Sequence, residues 1–130
     1  MNMVRGRRRG DTGSYSVEAI LTITLVFTII FGTFQLALWA TARSAARDAA
    51  NGAVVAASLE RGTAETGKAE AEKRLARTGT GLLDNRTVDV TRTATEVRVT
   101  VTGDVLSLIP GFPVHVNVTS TGSVERWSTP

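Results

Sequence analysis

Gly13 and Glu18 are the residues whose types and spacing point most clearly to chemistry, and it is chemistry done to the chain rather than by it. Glu18 follows Gly13-Ser14-Tyr15-Ser16-Val17 and precedes Ala19 to Ala42, a run without a single charged side chain. A carboxylate at the edge of hydrocarbon loses its hydration, which is costly unless something reads the charge. With Arg5, Arg7, Arg8 and Arg9 upstream, the glycine five residues before the acid reads as a processing and assembly signal.

The remaining reactive side chains do not assemble into a catalytic pattern. His115 is the only histidine and there is no cysteine, so the sequence offers no metal-ligand set and no thiol chemistry. No serine sits in a nucleophile elbow. Asp84, Asp89 and Asp104 fall at turn or strand-surface positions, where acids are ordinary. Thr78-Gly79-Thr80-Gly81 looks superficially like a phosphate loop, but no Gly-Lys-Ser/Thr follows and no strand precedes it; it reads as a linker. Arg9-Gly10-Asp11 and the two glycosylation sequons, beginning at Asn85 and Asn117, carry no argument here. The expectation is a non-enzyme without cofactor, metal or small-molecule substrate.

The elements that would position Gly13 and Glu18 begin with a membrane span at residues 19–42. Twenty-four uncharged residues at a rise of about 1.5 Å reach ~36 Å, enough to cross a ~30 Å hydrocarbon core with some tilt. The run exceeds the length that a buried helix of a soluble domain normally uses. Thr22, Thr24, Thr28, Thr33 and Thr41 interrupt it, and threonine hydroxyls can bond the carbonyl one turn earlier. Gln35 is more expensive in lipid and is expected to seek a neighbouring helix. Trp39 fits an interfacial anchor.

Charge orients the span. The formal net charge is +3, and residues 43–130 nearly balance, with eleven basic against ten acidic side chains. The excess therefore sits on the leader, residues 1–13, which the positive-inside rule keeps cytoplasmic while the C-terminal part is exported. Arg43 and Arg47 oppose this only weakly. No basic stripe with interleaved aromatics marks the exported part, so nucleic acid is not an expected partner. Arg7-Arg8-Arg9 lacks the other elements of a twin-arginine signal. Ala40-Thr41-Ala42 has the small-x-small form of a signal-peptidase site, which would release residues 43–130, but the apolar region before it is longer than such signals use.

Beyond the span the helix is expected to continue to about residue 60. Arg43, Arg47 and Asn51 form a polar i, i+4 line, and alanine dominates the rest. The stripes Ala42, Ala46, Ala50 and Ala45, Ala49, Ala53 suit close approach, either to partner helices or to the chain's own sheet. Gly52 inside this run marks a bend or a close contact. A second, surface helix is expected over about 64–77, with Lys68/Glu72 and Glu70/Arg74 pairs and a thin apolar face of Ala64, Ala71 and Leu75. Alternation of valine with polar residues predicts strands over about 87–92, 96–102 and 113–119, the first two a hairpin around residues 93–95. Three antiparallel strands need a cover, and the long helix is the natural one. The fold class is α+β: a long N-terminal transmembrane helix extending into a small domain, residues 61–130, with a second helix and a three-stranded sheet. Val105, Leu106, Leu108, Ile109 and Phe112 in the connecting loop are expected to fold back as a lid on a small core; exposed, they would form an interaction patch.

Gly13-Ser14-Tyr15-Ser16-Val17-Glu18, with the basic leader and the span, resembles the prepilin-peptidase site of type IV pilins and their relatives. Ala42-Arg43-Ser44-Ala45-Ala46-Arg47-Asp48-Ala49-Ala50-Asn51-Gly52-Ala53 is similar to the helix that follows the span in TadE-like (TadE/TadG-type) proteins, pilin-like components of tight-adherence (Tad) pilus systems. The resemblance covers the chain to about residue 53. It implies cleavage after Gly13 by a prepilin peptidase, membrane residence, and pilin-like subunits or pilus assembly proteins as partners. Ser14 departs from type IV pilins, which place a larger apolar residue there, so N-methylation is not carried over. Cleavage would give Ser14 a positive amino group one helical turn from Glu18, able to neutralise it within one chain or between neighbours. The competing readings are an uncleaved single-pass binding or sensory module and a secreted domain released after Ala42.

Overall fold

The computed structural model describes residues 11–78 and 81–126, with side chains over 13–77 and 81–126. Most of the basic leader and the Gly79-Thr80 linker residues lie outside the described residues. In chain order the elements are α1 (Asp11–Ser58), α2 (Ala64–Thr78), β1 (Leu83–Arg92), β2 (Glu96–Val105) and β3 (Val114–Ser123). The strands form one antiparallel sheet in the order β1-β2-β3. This is the α+β plan expected from the period change along the sequence.

The chain divides into two units, one through Phe34 and one from Gln35 onward. In the first, every described side chain is exposed, and the surface is apolar: Leu21, Leu25, Phe27 and Phe31 all face outward. The Phe27 and Phe31 rings stack with centroids 6.3 Å apart. The hydroxyls of Thr24, Thr28 and Thr33 each donate to the carbonyl four residues earlier, at 2.7–2.8 Å. An apolar helix whose hydroxyls are satisfied internally suits lipid. Among the described residues, one helix is long and apolar enough to cross a membrane, and the chain is read as a single-pass membrane-anchored protein.

The second unit is built on a floor of alanines. Ala42, Ala46, Ala49, Ala50, Ala53 and Ala57 of α1 are fully buried in one cluster with Val97, Val99 and Val101 of β2. The first alanine stripe, with Ala49 and Ala53 of the second, thus faces the chain's own sheet. Methyl groups on the helix let valines on the sheet approach closely, and β-branched side chains pack well on a pleated surface. The inner face runs in cross-strand rows, Val88-Val101-Val118 and Leu83-Val105-Val114; the outer rows are polar, as in Asp89-Thr100-Thr119. Across the α1–sheet contact, the Arg92 Nε donates to the Ala57 carbonyl at 2.8 Å and Ser120 Oγ donates to Asn51 Oδ1 at 2.8 Å. α2 starts on a Thr63 cap, whose Oγ1 accepts from the Thr66 N–H at 3.1 Å. It buries Ala71 and Leu75 against the same core.

Element boundaries depart from the sequence expectation where alternation breaks. β1 begins at Leu83 rather than 87 because an irregularity lies between Asp84 and Thr87, where Asn85 adopts a left-handed φ of 49°. Five residues separate Leu83 from Val88, while four separate their partners Val105 and Val101. The extra residue returns Leu83 to the inner face. β2 extends to Val105 through Gly103, which lies against Leu83. β3 extends to Ser123 because Gly122 accommodates Val54 of α1. At the other end, α1 starts at Asp11, so Gly13 lies within the helix rather than before it.

The lid expectation is overturned. Val105 is buried, but Leu106, Leu108, Ile109 and Phe112 are 45%, 39%, 42% and 64% exposed. The alanine floor already closes the core, leaving no open face for the loop to cover.

Candidate functional site

Gly13, Ser14 and Glu18 are placed on the opening turns of α1, all exposed. Four residues separate Ser14 from Glu18, so both lie on one side of the helix, about 6 Å apart along its axis. Glycine within a helix is about 1 kcal/mol less favourable than alanine. A Cβ at Gly13 would nevertheless meet no atom within 4 Å. Among the described residues, packing therefore supplies no reason for glycine at this position. Gly52, Gly67 and Gly122 are different: a Cβ there would run into Arg74, into the Ala53 carbonyl and into Val54 respectively.

Gln35 and the alanines Ala42, Ala46 and Ala50, the candidate helix-packing residues, are all engaged within the chain. The Gln35 side chain bonds the connecting loop at two points. Its Nε2 donates to the Leu106 carbonyl at 3.2 Å, and its Oε1 accepts from the Leu108 N–H at 2.8 Å. Ala42, Ala46 and Ala50 lie beneath the sheet. Arg43, Arg47 and Asn51 of the i, i+4 line are all exposed, and Asn51 reaches the sheet through Ser120. The Arg43 guanidinium lies over the Trp39 ring, 5.3 Å from its centroid, an aromatic and a cation paired where an interface anchor was expected.

Two polar constellations were not read from the sequence. Arg74 of α2 reaches Glu70 at 3.0 Å, as expected for an i, i+4 pair, and also Asp48 of α1 at 3.1 Å. The Arg74 guanidinium holds the Glu70 carboxyl below the usual range, and the two acids raise the Arg74 pKa in turn. On the outer face of the sheet, Asp104 accepts from Asn85 Nδ2 at 3.0 Å and bonds His115 Nδ1. The Asn85 amide, followed by His115, holds the Asp104 carboxyl below its ordinary value. His115 therefore has an acidic neighbour, because strand register sets Asp104 directly opposite it. The signal was present in the spacing of the two residues around the loop, but it required the strands to extend further than valine alternation indicated. No group of three or more histidine and acidic residues able to hold a metal occurs among the described residues.

The arrangement thus offers an exposed glycine–acid signal on an apolar helix, and a small domain whose own sheet covers the continuation of that helix. No curated protein and no solved structure matches the chain. Residues 13–54 match the family model described as TadE-like protein, a segment that opens on the candidate glycine and ends within the alanine floor.

Proposed function

We propose that the protein is a pilin-like minor subunit or assembly component of a Tad-type (type IVb-like) pilus or related secretion system, matured by a prepilin peptidase that cuts after Gly13. It is a structural protein, not an enzyme. The leader faces the cytoplasm and the sheet domain lies outside the membrane, the orientation favoured by the arginine excess before the span. Other pilin-like subunits or assembly proteins are its partners.

The observation that carries this reading is Gly13 itself. It sits in a helix, where glycine is unfavourable, and has open space where a side chain would stand. Gly32 of the same helix also has open space, but Gly13 stands five residues before an acid at the end of a basic leader, the position an external reader would use. After cleavage, the new Ser14 ammonium stands one turn from Glu18 and neutralises it within the membrane or across a subunit contact.

Mass spectrometry of the chain co-produced with its cognate prepilin peptidase tests the assignment. The expected mature N-terminus is Ser14, and Gly13→Ala blocks the cut. An intact leader or an N-terminus at Arg43 refutes it, pointing respectively to an uncleaved anchor or a released domain. Glu18→Ala is expected to permit cleavage but to reduce incorporation into the pilus machinery; unchanged incorporation would leave Glu18 as an ordinary helix-start acid.

A further inference from the structure

The loop between β2 and β3 is apolar, outward-facing and uncharged. From Val105 to Val114 it contains no ionisable side chain, and Leu106, Leu108, Ile109 and Phe112 are exposed. Several of its backbone groups, by contrast, are bonded within the protein. Leu106 N–H donates to the Leu82 carbonyl at 2.9 Å and Phe112 N–H to the Ile109 carbonyl at 3.2 Å. Leu108 N–H donates to Gln35, and Ile109 N–H to Ser107 Oγ at 3.3 Å. Ser107 Oγ lies 2.8 Å from each of the Ile109 and Phe112 carbonyls, and Pro110 and Pro113 have no N–H to satisfy. Irregular backbone tolerates an apolar environment when its polar groups are bonded within the protein. Polar groups turned inward and apolar side chains turned outward are the reverse of a water-facing loop.

The clasp fixes the depth. Gln35 lies within the uncharged run, four residues before Trp39 and seven before Ala42. At the helical rise this is about 6 Å inside the tryptophan and about 10 Å inside the end of the run. Interfacial segments bury their apolar faces to about the same depth, roughly 5–10 Å into the headgroup and acyl boundary. The clasp also removes the amide of Gln35 from lipid by giving both its donor and its acceptor a partner.

We infer that the loop at residues 106–112 is a second membrane contact, inserting Leu108, Ile109 and Phe112 into the interfacial layer of the same bilayer that α1 crosses. The inference rests on the membrane-anchor reading of α1. It gives the sheet domain a fixed seat on the lipid surface, with Gln35 as the positioning residue that holds the loop at that depth.

The absence of cysteine permits single-site labelling of the full chain. Leu25→Cys, Phe112→Cys and Thr119→Cys, each carrying an environment-sensitive fluorophore, are reconstituted into phosphatidylcholine nanodiscs containing lipids spin-labelled at shallow or deep acyl positions. The expected result is quenching of the residue-112 probe by shallow labels, several-fold above that of the residue-119 probe on the outer sheet face. The residue-25 probe responds to deep labels. Adding Gln35→Ala should lower quenching at residue 112 and leave residue 25 unchanged. Quenching at 25 but not at 112 overturns the inference while the anchor stands; quenching at neither overturns both. A residue-112 probe shielded only as protein density rises, without lipid quenching, assigns the loop to a second copy and also overturns it.

Discussion

Two glycines in helices offer a test of how α2 is seated, because the same substitution should act differently at each. At Gly67 an added Cβ would lie 2.9 Å from the Ala53 carbonyl oxygen, 3.0 Å from Ala57 Cβ and 3.4 Å from Val90 Cγ1. The first contact is with the backbone of α1 near its C-terminal end, which cannot step aside without moving the helix. Replacing glycine by alanine gains about 1 kcal/mol of helix propensity, whereas overpacking costs about 1–3 kcal/mol. Gly67→Ala is therefore expected to destabilise the domain by about 1 kcal/mol net. At Gly52 the obstructing atoms are Arg74 Nε and its neighbours, at 2.3–2.7 Å, the far end of a flexible side chain. Displacing that guanidinium forfeits its partly exposed contacts to Asp48 and Glu70, which contribute little in solvent. The propensity gain offsets this, so Gly52→Ala should be near neutral. Amide hydrogen exchange at Val99 and Val101 of the full chain in micelles measures both. Exchange roughly fivefold faster in Gly67→Ala than in Gly52→Ala is expected. If Gly67→Ala exchanged as slowly as the parent protein, the close seating of α2 on α1 would be refuted.

Further expectations can be checked on the same sample. Val99→Ala removes a fully buried side chain from the middle strand and should cost about 2 kcal/mol or more, from lost transfer energy plus a cavity; Val55→Ala, at an exposed position of α1, should change unfolding little. Asp104 has a lowered pKa in the folded protein. Its contribution to stability is thus complete at neutral pH and is lost as pH falls through that lowered value. Asn85→Ala removes the first cause of the shift, so NMR titration should find the Asp104 pKa raised towards its ordinary value and the acid-dependent loss of stability reduced. An unchanged titration would show that the Asn85 amide does not act on the carboxylate.

Most of the architecture was legible because it rests on periodicity. The uncharged run, the alanine stripes and the alternating valines each carry one strong repeat, and α1, α2 and the middle of every strand follow from them. What was hidden lies where a residue serves the fold without continuing a repeat. Gly103 and Gly122 extend strands because another side chain occupies the space over them, which a pattern of apolar residues cannot register. The loop was misassigned by the rule that small domains need every apolar side chain; here the floor of α1 supplied what was needed, and Leu106, Leu108, Ile109 and Phe112 were left outside. Gln35 was identified as costly in lipid, but its partner is 71 residues away along the chain, beyond any local signal. The Asp104–His115 pair was missed because it depends on strand register set by the full length of β2 and β3. The glycine–acid signal was visible from spacing, and the structure added that Gly13 has no packing role.

Asn85 gives β1 something like a reading frame. A strand is read two residues at a time, and the single extra residue before Thr87 shifts the phase, so that Leu83 and Val88, an odd and an even position, both face inward. The bulge thus lets an odd spacing keep both residues on one face. Asn85→Gly keeps the bulge and suits the positive φ, whereas deleting one residue between Asp84 and Thr87 would leave Leu83 and Val88 four residues apart, both inward in a regular ladder without the bulge. The same asparagine holds Asp104, which in turn holds His115. Loss of the Asn85 side chain would thus be felt across the whole width of the sheet, as far as its opposite edge.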